Sequence, residues 1–107
     1  MFGASRQAYR VGDGVSVPAV LYRVDPEYTL VASNLKIQGQ VSLQTEVTKE
    51  GIAENIEVVK SLDSGLDEQA IKAVGKWRFK PAMKDGKPVR VLVTVEVLFK
   101  LPPPTSK

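Results

Sequence analysis

The sequence predicts a two-layer α+β sandwich, in which two helices pack on one face of a three-stranded antiparallel sheet. Residues 40–48 and again residues 89–100 follow a period of two, with valine, leucine or phenylalanine at most alternate positions, and this period is typical of half-buried strands. Between these segments, apolar residues recur at helical spacing and predict an amphipathic helix. The predicted order is α-β-β-α-β, and a right-handed crossover would place the last strand beside the first.

Length and composition indicate one ordinary globular domain. The chain has 107 residues, of which 43% are hydrophobic and 25% charged, and its net charge is +3. It contains no cysteine and no histidine, which excludes disulfides, Cys/His metal sites and imidazole proton transfer. No apolar run approaches the roughly 18 residues that cross a bilayer, so we expect the chain itself to be soluble. We predict an extended N-terminal arm at 1–25, the domain at 26–101 and a proline-rich tail at 102–107.

The first helix and the hairpin follow the arm. Pro26 suits a first helical turn and Gly39 a stop, which predicts a helix at 27–36. A strand follows from residue 40, then a turn in which Gly51 adopts a positive φ, then a second strand at 52–60. The predicted helix stripe is Tyr28, Val31, Ala32 and Leu35; the predicted inward strand residues are Val41, Leu43, Thr45, Val47, Ile56 and Val58.

The second helix has the clearest pattern. Ser64 and Asp67 resemble a capping box in which the Ser64 hydroxyl accepts from an early helical N–H. An Asp85-Gly86 turn then leads into the final strand at 89–99, and Pro102 cannot extend that strand. The apolar stripe of the helix comprises Leu66, Ala70, Ala73, Val74 and Trp77.

Several motifs together resemble the C-terminal domain of TonB over residues 26–101. They are Ile-Gln-Gly-Gln-Val at 37–41, Trp-Arg-Phe-Lys-Pro-Ala at 77–82 and Asp-Gly-Lys-Pro-Val at 85–89, in the order that the family has them. The family's Tyr-Pro pair is Tyr28-Thr29 here. The residues that define the fold in this resemblance are Gly39, Gly51, Gly65, Leu66, Asp67, Ala70, Trp77, Phe79, Pro81 and Gly86.

The resemblance implies a periplasmic, protein-binding domain of an energy transducer anchored in the inner membrane. Such a domain binds the TonB box of outer-membrane transporters by adding the box as a strand to its sheet edge, for uptake of iron chelates or vitamin B12. ExbB and ExbD would bind other parts of the parent protein, and no cofactor is implied. Because a three-stranded sheet has two exposed edges, such strand addition is physically reasonable, and so is a strand-paired homodimer.

We predict that the partner binds along the edge of the final strand, with two residues of the first helix flanking it. On this prediction, Val93→Pro would abolish binding by removing an edge donor or disrupting the strand. The predicted partner-binding residues are Tyr28, Thr29, Arg90, Val91, Leu92, Val93, Thr94, Val95, Glu96, Val97, Leu98 and Phe99.

Other functions are less well supported by the residues. The acidic candidates for catalysis are Asp63, Asp67, Asp85 and Glu96. Asp67 is explained by a cap, Asp85 by a turn and Glu96 by the polar side of a strand, and we predict that the chain is not an enzyme. A basic stretch between Lys72 and Arg90 indicates a solvated face, because a nucleic-acid surface would interleave exposed aromatic residues. Two readings remain: a transducer domain that binds a TonB box, or a TonB-like adaptor or sensor module that binds another extended peptide or the cell wall.

Overall fold

The computed structural model of the chain describes residues 8–12 and 14–102. Residues 1–7 of the predicted arm and 103–107 of the predicted tail lie outside the described residues. The strands are β1 (Tyr9–Arg10), β2 (Ala19–Tyr22), β3 (Gly39–Val47), β4 (Ala53–Lys60), β5 (Arg78–Lys80), β6 (Ala82–Lys84), β7 (Lys87–Val89) and β8 (Val91–Phe99); the helices are α1 (Leu30–Asn34) and α2 (Ser64–Gly75).

The main sheet is centred on β3 and β8. These two strands pair antiparallel without any register shift, from Gly39 opposite Phe99 to Val47 opposite Val91. Their alternate residues point into the core, as the period of two predicts, and Val41, Leu43, Thr45 and Val47 are fully buried. The adjacency of the first and last predicted strands is therefore confirmed.

The sheet has four strands, so the prediction of three was wrong. The order is β1-β8-β3-β4, and β1 pairs with β8 in parallel, with Tyr9 opposite Val91. The Tyr9 N–H donates to the Arg90 carbonyl at 2.9 Å. A two-residue strand carries too little periodicity to be recognised, but it satisfies backbone groups that an exposed edge would leave to water.

Both helices pack into the same core as the inward residues of β3 and β8. From α2, Leu66, Ala70 and Val74 are fully buried, and from α1 only Ala32 is. The architecture is thus α+β with two helices, as predicted. Short two-stranded sheets, β2 with β5 and β6 with β7, extend it beyond the predicted elements.

The first helix is shorter than predicted. It begins at Leu30, because Thr29 is its N-cap and accepts a hydrogen bond from the Ala32 N–H at 3.0 Å. It ends before Lys36, which adopts a positive φ of 57°. Gly39 is therefore not the helix stop but the first residue of β3.

The second helix is capped by a different residue from the predicted one. The side chain of Asp63, not Ser64, accepts from the Leu66 N–H at 3.0 Å. Asp67 accepts from the backbone N–H groups of Leu62 and Asp63, which closes a reciprocal cap one residue earlier than expected. Trp77 lies beyond the helix end but is buried, with 2% of its surface exposed.

Candidate functional site: the outer edge of β8

The backbone of β8 presents alternate residues to its two sides. The Arg90 carbonyl faces β1, and N–H and C=O groups along a strand alternate between sides. Leu92, Thr94, Glu96 and Leu98 therefore direct their backbone groups outward, whereas the residues between them pair with β3. Val93 is among the latter, so proline there would disrupt the pairing with β3, which is one of the two mechanisms expected for Val93→Pro; it would not remove an edge donor, which was the other.

Only the first part of this outer side is occupied by β1. The pairing covers Val91 and Leu92, and no described strand pairs with β8 beyond Leu92 on that side. We call the outer backbone side of residues 93–99 the open edge. It is continuous and free of bulges, because the register of β8 with β3 has no shift.

The opposite edge of the sheet, on β4, is irregular. The pairing of β4 with β3 shifts register twice, between Ser42 and Leu43 and between Gln44 and Glu46. Asn55 adopts a positive φ of 52° within the second of these irregularities. Bulges twist a strand and interrupt its row of donors and acceptors, which hinders addition of a further strand. Val58, predicted to face inward, is 37% exposed at this irregular edge.

The side chains of β8 divide into two sets. Val91, Val97 and Phe99 are buried in the core, so they cannot contact a partner through their side chains. Thr94, Glu96 and Leu98 are exposed on the face opposite the helices, and Leu98 has 58% of its surface accessible. Between these extremes, Leu92, Val93 and Val95 are half-buried, so Thr94, Glu96 and Leu98 are the most accessible of the predicted partner-binding side chains on this strand.

Arg90 is held by two carboxylates and lies outside β8, which begins at Val91 and not at residue 89 as predicted. Its guanidinium contacts Glu46 at 2.6 Å and Glu54 at 2.8 Å. The hydrogen bond to Glu54, with a contribution from Glu46, raises the pKa of Arg90 despite partial desolvation. Arg90 therefore ties β3, β4 and the start of β8 together, and its predicted contact with a partner would have to compete with these ion pairs.

Tyr28 and Thr29 both make contacts within the domain, and Tyr28 packs against the last residue of β8. The Tyr28 hydroxyl donates to the Ile37 carbonyl at 2.8 Å, and its ring meets the Phe99 ring edge-to-face at 5.5 Å between centroids. Thr29 uses its hydroxyl to cap α1. Their hydroxyl groups are therefore already engaged within the domain, and their contact with a partner stays a prediction.

An exposed apolar surface on α1 was missed by sequence reasoning. Leu30, Val31 and Leu35 are 77%, 66% and 68% exposed, although the helical spacing had placed Val31 and Leu35 in the core. The helix is only five residues long and buries Ala32 alone, so the rest of its apolar stripe remains in solvent. The sequence carries no signal of this exposure, because the shortening of the helix is visible only in the structure.

The residues that carry the family motifs hold the loops around this sheet. Gly51 has a φ of 84°, and the Phe79 N–H donates to its carbonyl at 2.9 Å. The Trp77 indole donates to the Val24 carbonyl at 2.9 Å, with the Arg23 guanidinium over its ring at 4.4 Å. At the predicted Asp85-Gly86 turn both residues have positive φ, as a tight hairpin requires.

A metal site, a catalytic site and a membrane span find no support in the described part of the chain. Residues 8–12 and 14–102 contain no group of three or more acidic side chains that could hold a metal ion. A depression of about 270 Å³ beside α2 is lined by both acidic and basic side chains, among them Asp25, Glu27, Lys72 and Lys76. None of the described helices is long and apolar enough to span a membrane.

Comparison with known proteins gives consistent matches. A sequence model of the Gram-negative bacterial TonB protein C-terminal family matches residues 24–101. Protein TonB of Escherichia coli K12 is 34% identical over 87 residues, which is 80% of this chain and 34% of that protein. Protein tonB2 of Pseudomonas aeruginosa is 37% identical over 82 residues, or 76% of this chain and 30% of that protein. The chain thus spans about a third of the curated relatives it matches.

A solved structure shares the fold. The solution NMR structure of the Pseudomonas aeruginosa TonB CTD superposes with a TM-score of 0.66 at 26% identity, covering 88% of this chain and 93% of that one. The expectation that this is not an enzyme is confirmed by the family, which is a non-catalytic protein-interaction domain of energy transducers. The sheet centred on β3 and β8, the buried tryptophan motif and these matches together show that the chain belongs to the Gram-negative bacterial TonB protein C-terminal family.

Proposed function

We propose that this domain binds the TonB box of an outer-membrane transporter as an added strand on the open edge of β8. The observation that carries the proposal is an uninterrupted run of outward backbone groups at Thr94, Glu96 and Leu98, in a sheet whose other edge is bulged. Backbone hydrogen bonds bind extended peptides with little dependence on their side chains, so one edge can serve several transporters.

The surroundings of the open edge support the same function. Leu98 is exposed on one face of the sheet. Leu30 and Val31 are exposed in α1, and the exposed Leu35 is its C-cap; α1 begins two residues after Tyr28, whose ring packs on Phe99. These apolar side chains provide surface for alternate side chains of a bound strand, which supplies specificity beyond the backbone. In the parent protein, the domain would work in the periplasm and couple inner-membrane proton-motive force, harvested with ExbB and ExbD, to nutrient uptake.

The test is titration of the domain with a synthetic TonB-box peptide, followed by backbone amide shifts. We expect the shifts to concentrate at Thr94, Glu96 and Leu98 and to spare β4, which is the internal control. Thr94→Pro removes an outward N–H and should weaken binding about tenfold, because one backbone hydrogen bond is lost and its neighbours are displaced.

Thr94→Ala is the matched control, since it keeps the N–H, and its affinity should stay within about twofold of the unchanged domain. Both variants must first show a folded amide spectrum. Shifts that follow β4 or the charged depression beside α2, or equal binding by the two variants, would contradict strand addition at this edge. In that case, the adaptor or sensor reading would become the better one.

A further inference from the structure

The strand that covers the beginning of β8 is unusually short and exposed. β1 has two residues, Tyr9 and Arg10, both of them exposed at the surface. Its described contacts are the pairing with Val91 and Leu92, and a Lys84 ammonium 5.7 Å from the centre of the Tyr9 ring. By contrast, β8 pairs with β3 over nine positions around buried side chains. The two sides of β8 are therefore held with very different strength.

The chain leaves β8 directly after this short pairing. Gly12 has a φ of 110°, and its backbone exchanges two hydrogen bonds with Val15, at 3.0 and 3.2 Å. This turn directs the chain toward β6, where the Ser16 N–H donates to the Met83 carbonyl. β1 consequently cannot continue along the open edge, and it ends where that edge begins.

We propose that β1 is a displaceable strand that competes with the partner for the first part of the β8 edge. The inference rests on the proposed function, because the competitor matters only if a guest strand binds there. A guest that pairs with residues 93–99 leaves β1 in place. A longer guest must displace β1 to reach the Leu92 N–H and the Arg90 carbonyl, and this cost lowers its apparent affinity.

The chain offers a matched pair of substitutions. Tyr9→Pro removes the N–H that donates to the Arg90 carbonyl, and so it should detach β1. In Arg10 the N–H faces away from β8, because donors alternate along a strand, so Arg10→Pro keeps the pairing. Tyr9→Ala keeps the donor but loses the contact with Lys84, which separates the effect of the ring from that of the backbone.

The first measurement needs no peptide. We expect the Leu92 amide, which faces β1, to exchange its hydrogen at least about 100-fold faster than the Val95 amide, which faces β3, but more slowly than the Thr94 amide on the open edge. Tyr9→Pro should raise the Leu92 rate to that of Thr94, and Arg10→Pro should not. If Leu92 exchanged as slowly as Val95, β1 would open only with the whole sheet, and the proposal would be overturned.

The second measurement uses two synthetic TonB-box peptides, one of about five residues that fits the open edge and one of about nine residues that reaches the start of β8. We expect Tyr9→Pro to raise the affinity of the long peptide about 3- to 10-fold and to leave the short one unchanged. Binding of both peptides with equal affinity to all variants would overturn the inference and leave the proposed function standing. If no peptide bound any variant, the proposed function would fail, and the exchange rates alone would decide whether β1 is displaceable.

Discussion

Among the described glycines, Gly51 is the one at which the surrounding backbone leaves least room for a side chain. A Cβ atom added there would lie 2.0 Å from the Phe79 carbonyl oxygen, and the residue has a φ of 84°. The backbones of the hairpin turn and of β5 are in contact at this point, and a hydrogen bond from Phe79 to Gly51 joins them. A side chain would therefore have to separate two backbone segments, in addition to adopting an unfavourable φ.

We expect Gly51→Ala to lower the free energy of unfolding by about 3 kcal/mol or more, because the clash is with backbone and cannot be relieved by rotamer changes. Gly86→Ala is the control: Gly86 has a similar φ of 78° but no atom within 4 Å of the added Cβ. It should lose only about 1–2 kcal/mol, the cost of the left-handed conformation. Urea unfolding of both variants measures the difference, and equal losses would contradict the close approach.

Trp77 contributes through a specific hydrogen bond as well as through burial. Trp77→Phe removes the donor to the Val24 carbonyl, and we expect a loss of about 1–2 kcal/mol in unfolding free energy. Arg23→Ala removes the exposed guanidinium above the ring and should cost less than about 1 kcal/mol. Thermal unfolding compares the two. A larger effect for Arg23→Ala would mean that the cation, not the indole N–H, fixes the segment before α1.

At the scale of elements, the capping of α2 distinguishes two neighbouring residues. Asp63→Ala should reduce the unfolding free energy by about 1 kcal/mol, since it removes the acceptor for the Leu66 N–H. Ser64→Ala should stay within about 0.5 kcal/mol, because Ser64 is the first helical residue and not the cap. Chemical denaturation of the two variants decides between them, and the reverse order of losses would favour the cap that the sequence pattern predicts.

The elements that the sequence predicted well are those with a strong periodic signal. The alternation at 40–48 and 89–100 identified β3 and β8, and the stripe from Leu66 to Val74 identified α2. The motifs around Trp77 and Phe79 identified the family. Few other residues could replace the buried indole of Trp77, or the glycine at position 51 that lies against the Phe79 backbone. Local side-chain pattern was sufficient in each case.

The elements that the sequence did not reveal depend on long-range backbone pairing. β1 and β2 are two and four residues long, and their partners lie 55 or more positions away in the chain. In the same way, nothing in the pattern of β8 tells which side of its backbone remains open, because N–H direction depends on the neighbouring strands. The strand that carries the candidate site could be predicted from the sequence. Which segment of its edge is open, and what Tyr28, Thr29 and Arg90 contact, could be seen only in the folded structure.

At the scale of the whole molecule, an open edge invites self-association. Two copies could pair their β8 edges antiparallel about a two-fold axis, which is the strand-paired homodimer expected from the sequence. We predict concentration-dependent dimerisation in sedimentation velocity, reduced by Thr94→Pro and unchanged by Thr94→Ala. A monomer at all concentrations would mean that the two-residue β1 and the twist of the sheet are enough to protect the edge.

The unbroken register between β3 and β8 has a mechanical consequence. A strand added along residues 93–99 would be shorter than the nine-position ladder on the other side of β8 and would lack its buried side chains. Under a load directed along the strands, the pairing that dissociates faster breaks first. The added strand therefore separates before β8 is pulled out of the sheet. The domain would then remain folded after each pull and could bind a further strand.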